Sequence, residues 1–106
     1  MDPLRGEVWE VQFPRIGAHP AVVLTVSALV PKLSAVTVAL VTGTEGPAVT
    51  HVRLGQESRL TGYDVSYANA TDLHTLPKAK LRRRRGLLHP AEMMRLERAV
   101  RAYLGL

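Results

Sequence analysis

The sequence predicts a mostly β (α+β) fold, in which several short strands form a small barrel or an open sheet capped by one C-terminal helix. Two observations carry this prediction. Apolar, β-branched segments of strand length alternate with segments rich in proline and glycine, and only the end of the chain shows a helical apolar period. With 106 residues, the chain is expected to form one domain over residues 1–106.

Three strands are predicted in the first half of the chain. Glu7–Phe13 alternates polar and apolar residues, which is typical of a strand with one buried face. The prolines and the glycine of Pro14–Pro20 predict a loop. Ala21–Val26 is a continuous β-branched run, which indicates a central strand buried on both faces. Ala35–Val41 is a similar strand, and it ends at the Thr42–Pro47 loop.

The second half is predicted to contain two further strands and an ambiguous segment. Val49–Leu54 and Val65–Ala70 have the composition of strands and are separated by Gly55–Gly62. In Leu73–Leu88, Pro77 opposes a helix, and the basic residues favour an edge strand or a ribbon.

The last segment predicts the only long helix. Pro90 suits a first helical position, Glu92 favours the positive end of the helix dipole, and Gly105 marks the end. The residues predicted to pack on the sheet follow the helical period and are Met93, Leu96, Val100 and Tyr103.

Positive charge is concentrated in the last third of the chain, whose overall net charge is +5. From His74 onward there are nine Lys or Arg and two acidic residues, whereas the preceding part has five basic and seven acidic residues. The two parts therefore have net charges of +7 and −2. A clustered basic patch suits a polyanion such as nucleic acid, although a solvated basic surface or a dock for an acidic protein has the same composition.

The composition also bears on cofactors and compartment. The chain has no cysteine, so neither disulfides nor a thiolate metal site can form, and His51, His74 and His89 lack ligand spacing with carboxylates. No run is long enough to span a membrane, and the start lacks the pattern of a signal peptide. We therefore expect a cytoplasmic protein without membrane contact, metal or other cofactor.

Several motifs, in this order, make the chain resemble the MazF/PemK toxin family. They are a Gly-Glu-Val-Trp opening strand, a Pro-Ala-Val-Val strand, a strand ending in threonine, and a Pro-Ala-Glu-Met helix start with a Leu-Gly-Leu end. The segments are Arg5–Phe13, His19–Thr25, Val36–Thr42, Asp72–Thr75 in place of a Gln-Ile-Arg-Thr motif, Lys80–Met94 and Leu104–Leu106.

The resemblance implies properties that composition and periodicity do not give. It implies an SH3-like β-barrel with a C-terminal α-helix, and a homodimer with a groove for single-stranded RNA across it. It also implies a toxin that cuts RNA without a metal ion, and a co-expressed antitoxin whose flexible tail occupies the groove. The sequence does not indicate which RNA is cut.

Two catalytic residues follow from the resemblance. The family has an arginine before its Pro-Ala-Val strand and a Thr or Ser at the end of the next strand, which correspond to His19 and Thr42. In metal-free cleavage the 2′-OH of the RNA attacks phosphorus, so the protein must accept one proton, donate another and stabilise phosphoryl charge. Histidine titrates near neutrality, so His19 is predicted to transfer protons, whereas the Thr42 hydroxyl would hold a phosphate oxygen.

The predicted substrate-binding residues surround these two. Positive charge is expected from the basic run, in which strand alternation would put Arg82 and Arg84 on one face. The full set of predicted substrate-binding residues is Arg15, Thr44, Asn69, Arg82 and Arg84.

Alternatives remain open at this point. Thr42 could simply bond its own backbone in a turn, and Thr44 could carry its role. The chain could be a protein-binding toxin similar to the CcdB toxins, which poison DNA gyrase. It could also be a catalytically silent module that binds RNA or antitoxin, because His19 replaces the family arginine.

Overall fold

The computed structural model describes residues 2–55 and 62–106. Its strands and helix are, in chain order, β1 (Glu7–Phe13), β2 (Gly17–Val23), β3 (Ala35–Thr42), β4 (His51–Arg53), β5 (Tyr67–Pro77), β6 (Leu81–Leu87) and α1 (Pro90–Leu104). Short 3-10 helices at Val30–Lys32 and Lys78–Lys80 precede β3 and β6. The predicted fold class, mostly β with a C-terminal helix, is confirmed. Most of the predicted Gly55–Gly62 connection lies outside the described residues.

The six strands form one antiparallel sheet in the order β4-β5-β3-β2-β1-β6. Strands β4 and β6 lie at opposite edges, so in the described part of the chain the sheet is open and does not close into a barrel. Within the same described ranges, no helix is long and apolar enough to cross a membrane.

The sheet has a buried apolar layer on each face, as strand alternation requires. Helix α1 covers one face, where its Leu96 is fully buried in one cluster with Val8 of β1 and Ala68 of β5. The other face carries a second cluster that includes Val11, Phe13, Ala21, Val30, Val36, Val38, Leu76 and Leu81. We call this second face the open face, because α1 does not cover it.

The hairpin between β1 and β2 is shorter than the predicted Pro14–Pro20 loop. Only residues 14–16 form the turn, so the loop prediction is wrong for the four residues after it. Arg15 (φ 73°) and Gly17 (φ 81°) take left-handed backbone conformations, which allow so short a segment to reverse the chain. The consequence is that His19 lies on a strand.

Strand β2 is also shifted relative to the predicted strand at Ala21–Val26, since it ends at Val23. Pro20 fits within it because the ladder between β2 and β3 begins only at the Ala21–Leu40 pair, so its missing donor is not needed on that side. The three residues from Ala21 to Val23 are fully buried, which confirms a central strand buried on both faces.

Strand β5 is much longer than the predicted Val65–Ala70 segment. It continues to Pro77, and the pairing with β3 skips residues between Ala68 and Leu73, which indicates a bulge. The ambiguous segment is therefore the end of β5 followed by β6, and the predicted basic edge strand is confirmed.

Helix α1 has the predicted bounds. Gly105 has a left-handed conformation (φ 74°), and its N–H donates to the carbonyl of Arg101 at 2.8 Å. The Glu92 carboxylate accepts the backbone N–H of His89 at 2.9 Å and that of Gly55 at 2.6 Å, which ties the helix start to the segment that follows β4. The predicted packing of Tyr103 on the sheet is wrong, since this side chain is 50% exposed beyond the last sheet contacts.

Candidate nucleic-acid interface

The strand registers bring His19 and Thr42 to one region of the open face. Ala21 of β2 pairs with Leu40 of β3, and this is the last pair of that ladder. His19 and Thr42 each lie two residues beyond it, so alternation puts both on the face of Ala21 and Leu40. Across β1, Val11 pairs with His19 on one side and with Leu81 of β6 on the other. The two predicted catalytic residues thus share one row of the sheet.

His19 is partly exposed, and its ring has a defined tautomer. Its Nε2 lies 3.0 Å from the carbonyl oxygen of Ile16 in the turn. A carbonyl oxygen can only accept, so Nε2 carries the hydrogen and Nδ1 is left to accept or donate a proton. Nδ1 has no hydrogen-bond partner among the residues that the structure describes.

Thr42 ends β3 and makes the turn contact that one alternative expects. Its Oγ1 accepts the backbone N–H of Thr44 at 3.1 Å. That bond uses a lone pair and leaves the hydroxyl hydrogen available to a phosphate oxygen. The turn contact and the predicted phosphate contact are therefore compatible, and the turn contact would orient the Thr42 hydroxyl toward the phosphate.

A histidine–aspartate pair that the site prediction missed also lies on the open face. His74 Nε2 is 2.6 Å from Asp72 Oδ1, and the His74 ring meets the edge of Phe13 with centroids 4.8 Å apart. Phe13 is buried, and its centroid is 6.4 Å from that of His19. Both imidazoles therefore approach the same aromatic ring. The signal for the pair was present, because residues at i and i+2 of a strand share a face, but this segment had no predicted strand.

The basic run does not alternate as predicted. The register between β1 and β6 shifts twice, which inserts Arg85 and Arg82 as extra residues and breaks the simple two-face pattern. Three of the arginines pair with acidic residues of β1: Arg84 with Glu7 at 2.5 Å, Arg85 with Glu10 at 3.2 Å and Arg83 with Glu10 at 3.9 Å. Arg82 is exposed and has no ion pair within the described ranges, and it adjoins the Leu81–Val11 pair of the same row.

The other predicted binding residues lie around this region. Arg15 is exposed in the β1–β2 turn, and Thr44 is exposed just after β3. Asn69 is in the β5 bulge, where its Oδ1 accepts the N–H and the hydroxyl of Thr71 at 2.9 and 2.7 Å. Arg84 is held further along β1, opposite Trp9, by its contact with Glu7. Arg15 and Thr44 are thus close in the chain to His19 and Thr42, and Arg82 lies beside the row that contains His19. Arg84 is further from this row than Arg82.

A cleft of about 1030 Å³ lies elsewhere, between α1 and the β4 region, and is lined in part by His51, Arg95 and Arg98. None of the predicted site residues lines it.

Glu7 fixes the arginine-rich edge strand to β1. Its side chain is 8% exposed, and its two carboxylate oxygens accept hydrogen bonds from the Leu4 N–H, Trp9 Nε1 and Arg84 Nε. Burial raises the pKa of Glu7, but the hydrogen bonds from Arg84, Leu4 and Trp9 and the charge of Arg84 outweigh it, so that the pKa is lowered below 4.5.

We expect Glu7→Gln to lower the free energy of unfolding by about 1–3 kcal/mol at neutral pH, because a charged acceptor with three donors is replaced by an amide. Because the folded-state pKa is lowered, the contribution of Glu7 is present above about pH 4.5 and is lost as the pH falls through the folded-state value. Denaturant unfolding at a series of pH values from neutral to acidic should therefore show that the free energies of unfolding of wild type and Glu7→Gln become equal in acid. Glu10→Gln, at a side chain 33% exposed, should cost less than about 1 kcal/mol. A constant difference between Glu7→Gln and wild type down to low pH would contradict this assignment.

Comparison with known proteins agrees with this architecture. The model of the family described as PemK-like, MazF-like toxin of type II toxin-antitoxin system matches residues 4–104. A Mycobacterium tuberculosis (strain H37Rv) protein named "Probable endoribonuclease MazF2" is 33% identical over 102 residues, 95% of this chain and 97% of that protein.

Solved structures show the same fold. An endoribonuclease in complex with its cognate antitoxin from a mycobacterial species has a TM-score of 0.88 and 31% identity, over 98% of this chain and 96% of that one. Mycobacterium tuberculosis toxin MazF-mt6 has a TM-score of 0.78 and 25% identity, over 94% and 97%. MazF from Deinococcus radiodurans has a TM-score of 0.83 over 100% and 99%, and at 17% identity it supports the fold alone. The family match over nearly the whole chain, together with the 33% identical relative, shows that this chain belongs to the PemK-like, MazF-like toxins of type II toxin–antitoxin systems.

Proposed function

We propose that this chain is the toxin of a toxin–antitoxin system and a metal-independent, sequence-selective endoribonuclease that cuts single-stranded RNA. The observation that carries the proposal is the juxtaposition of His19 and Thr42, both partly exposed, on one face of the sheet, in a chain that belongs to this toxin family. Relatives named as endoribonucleases, with 33% and 30% identity, support the same activity.

The reaction needs no covalent residue, because the 2′-OH of the RNA is the nucleophile. Its oxygen attacks the adjacent phosphorus, the bond to the 5′-oxygen breaks, and the products are a 2′,3′-cyclic phosphate and a 5′-hydroxyl. His19 takes part in proton transfer through Nδ1, its free nitrogen. Thr42 donates its hydroxyl hydrogen to a phosphoryl oxygen, on which negative charge accumulates.

Substrate binding is assigned to the residues around these two. Arg15, in the turn after Phe13, and Arg82, beside the Val11–Leu81 pair, supply positive charge. Thr44 and Asn69 offer polar contacts to the RNA, while Arg84 keeps its charge partly engaged with Glu7. Binding through phosphates predicts an affinity that falls as salt rises.

The proposal extends to partners and compartment. The mycobacterial relative of known structure is complexed with its cognate antitoxin, and we assign an antitoxin partner to this chain as well. A homodimer is proposed from the family resemblance and from the small core that 106 residues provide. The cytoplasm is the proposed location, since the RNA substrate is there.

The experiment is to incubate purified, antitoxin-free protein with a long RNA of mixed sequence in excess EDTA, and to determine the ends of the fragments. We expect discrete cuts that leave 2′,3′-cyclic phosphate and 5′-hydroxyl ends. Intact RNA from folded protein would contradict the proposal. RNA binding without cleavage would then indicate a silent module, whereas absence of both would favour a toxin that binds a protein such as gyrase.

A further inference from the structure

We infer that His74, held by Asp72, is the general acid of this ribonuclease and that His19 is its general base. The inference rests on the proposed function and deepens it, since it adds two residues and gives each imidazole one task. Its starting point is the position of both rings against Phe13 on the open face.

The spacing of the two imidazoles suits a phosphodiester between them. Their centroids lie 6.4 and 4.8 Å from that of Phe13, so the rings can be no more than roughly 11 Å apart. The attacking and leaving oxygens of an in-line displacement, each with one hydrogen bond of about 2.8 Å to a catalytic group, span a comparable distance. Phe13 is buried in the core, so both rings lie against a side chain whose position is held by its neighbours.

The tautomers decide which atoms carry protons. A carboxylate and a carbonyl can only accept hydrogen bonds, so Nε2 carries the hydrogen in both rings. The Nε2–H of His74 donates to the Asp72 carboxylate, and the Nε2–H of His19 donates to the Ile16 carbonyl. The Nδ1 atom of each ring has no partner among the residues that the structure describes. Nδ1 is therefore the atom that exchanges a proton with RNA in each case.

The partners of Nε2 differ in charge, and this difference separates the two tasks. The Asp72 carboxylate holds the His74 ring and faces it with a negative charge, so His74 is assigned the task of proton donor. The Ile16 carbonyl is neutral, so His19 is assigned the task of proton acceptor. The 2′-OH proton moves to His19 Nδ1 as the 2′-oxygen bonds to phosphorus. His74 Nδ1 gives its proton to the 5′-oxygen as that bond breaks, and solvent restores both rings.

Of the charged groups around the two imidazoles in the described residues, Asp72 is the carboxylate that contacts one of the rings. Strand β3, which lies between the two histidine strands, carries no ionisable side chain. The ionisable groups of the other strands, the turn and the two 3-10 helices in the described ranges have the following positions. Glu7 and Glu10 of β1 are bonded to arginines of β6, and Lys78 is bonded to Asp2. Arg15, Lys32, Lys80 and Arg82 are exposed, His51, Arg53 and Tyr67 line the cleft beside α1, and the charges of α1 lie on the opposite face.

The test is the pH profile of kcat/KM for an oligonucleotide with one cut site, from about pH 5 to about pH 9. A base and an acid together give a bell-shaped profile for the wild type. We expect His74→Gln to lose the alkaline limb, His19→Gln to lose the acidic limb, and each to slow cleavage about 100-fold or more. Asp72→Asn keeps an acceptor for Nε2 but removes its charge, so it should slow cleavage of normal RNA less than His74→Gln does. His51→Gln, in the cleft beside α1, is the matched control and should retain the wild-type profile.

A second substrate separates the acid from the base. When the leaving 5′-oxygen is replaced by sulfur, the thiolate departs without a proton. His74→Gln should then cut nearly as fast as the wild type, whereas His19→Gln should remain slow. The inference is overturned if His74→Gln keeps a bell-shaped profile on normal RNA, or if sulfur does not rescue it. If the wild-type protein cuts RNA in EDTA but His74→Gln gives either of these overturning results, the proposed ribonuclease activity stands and only the assignment of His74 is wrong. If the wild type does not cut RNA, the proposed activity and the assignment are both wrong.

Discussion

Thr42→Ala is expected to slow RNA cleavage about 100-fold, with the loss mainly in kcat, because the hydroxyl is assigned to a phosphoryl oxygen that gains charge in the transition state. The structure makes Thr42 Oγ1 an acceptor for the Thr44 N–H, which orients the hydroxyl and leaves its hydrogen free. Single-turnover cleavage of an oligonucleotide with one cut site measures the effect without a contribution from product release.

Two matched variants separate the hydroxyl from the turn. Thr42→Ser keeps the oxygen and should recover most of the rate. Thr44→Ala leaves its backbone N–H in place, so the turn bond to Thr42 remains, and it should raise KM more than it lowers kcat. If Thr44→Ala lowers kcat more than Thr42→Ala does, the catalytic hydroxyl belongs to Thr44 instead.

Leu96→Ala is expected to lower the free energy of unfolding by about 3–4 kcal/mol, because it opens a cavity at the centre of the interface between helix and sheet. Leu96 is 0% exposed and packs in the cluster with Val8, Ala39 and Ala68. For a domain of this size the loss is a large share of the total stability. Urea unfolding followed by circular dichroism measures the change.

The matched control is Val100→Ala, one turn further along the same helix face. Val100 is only partly buried against the cluster, so the loss should be about 1 kcal/mol. Equal losses of unfolding free energy at the two positions would mean that Leu96 is not the main contact between the helix and the sheet.

Local sequence patterns predicted the first strand and the last helix correctly because each carries its own signals. The alternation in Glu7–Phe13 and the Pro90 and Gly105 bounds of α1 do not depend on distant residues. Strand β2 was predicted to start too late, because proline and glycine usually mark loops, whereas Pro20 lies where the neighbouring ladder has not begun. Tertiary pairing, not local preference, decided that segment.

The site shows the same division. The positions of His19 and Thr42 followed from motifs, but their place in one row depends on the β2–β3 register, which no local pattern contains. The Asp72–His74 pair depends on the length of β5, and the polar residues around the bulge concealed that strand. The two register shifts between β1 and β6 likewise decided which arginines contact Glu7 and Glu10. Each extra residue in β6 moves the side chains that follow it to the opposite face of the sheet.

The Glu92 carboxylate has a consequence for the order in which the molecule forms. Strand β4 has three residues and one neighbouring strand, too little to persist alone, and Gly55, two residues after it, is bonded to a residue 37 positions later. Closing so long a loop costs chain entropy before it gains contacts, so β4 should join the sheet only after the helix has docked. We therefore expect the first turn of the helix and this edge strand to open and close together as one cooperative unit in the native ensemble, although they are far apart in sequence.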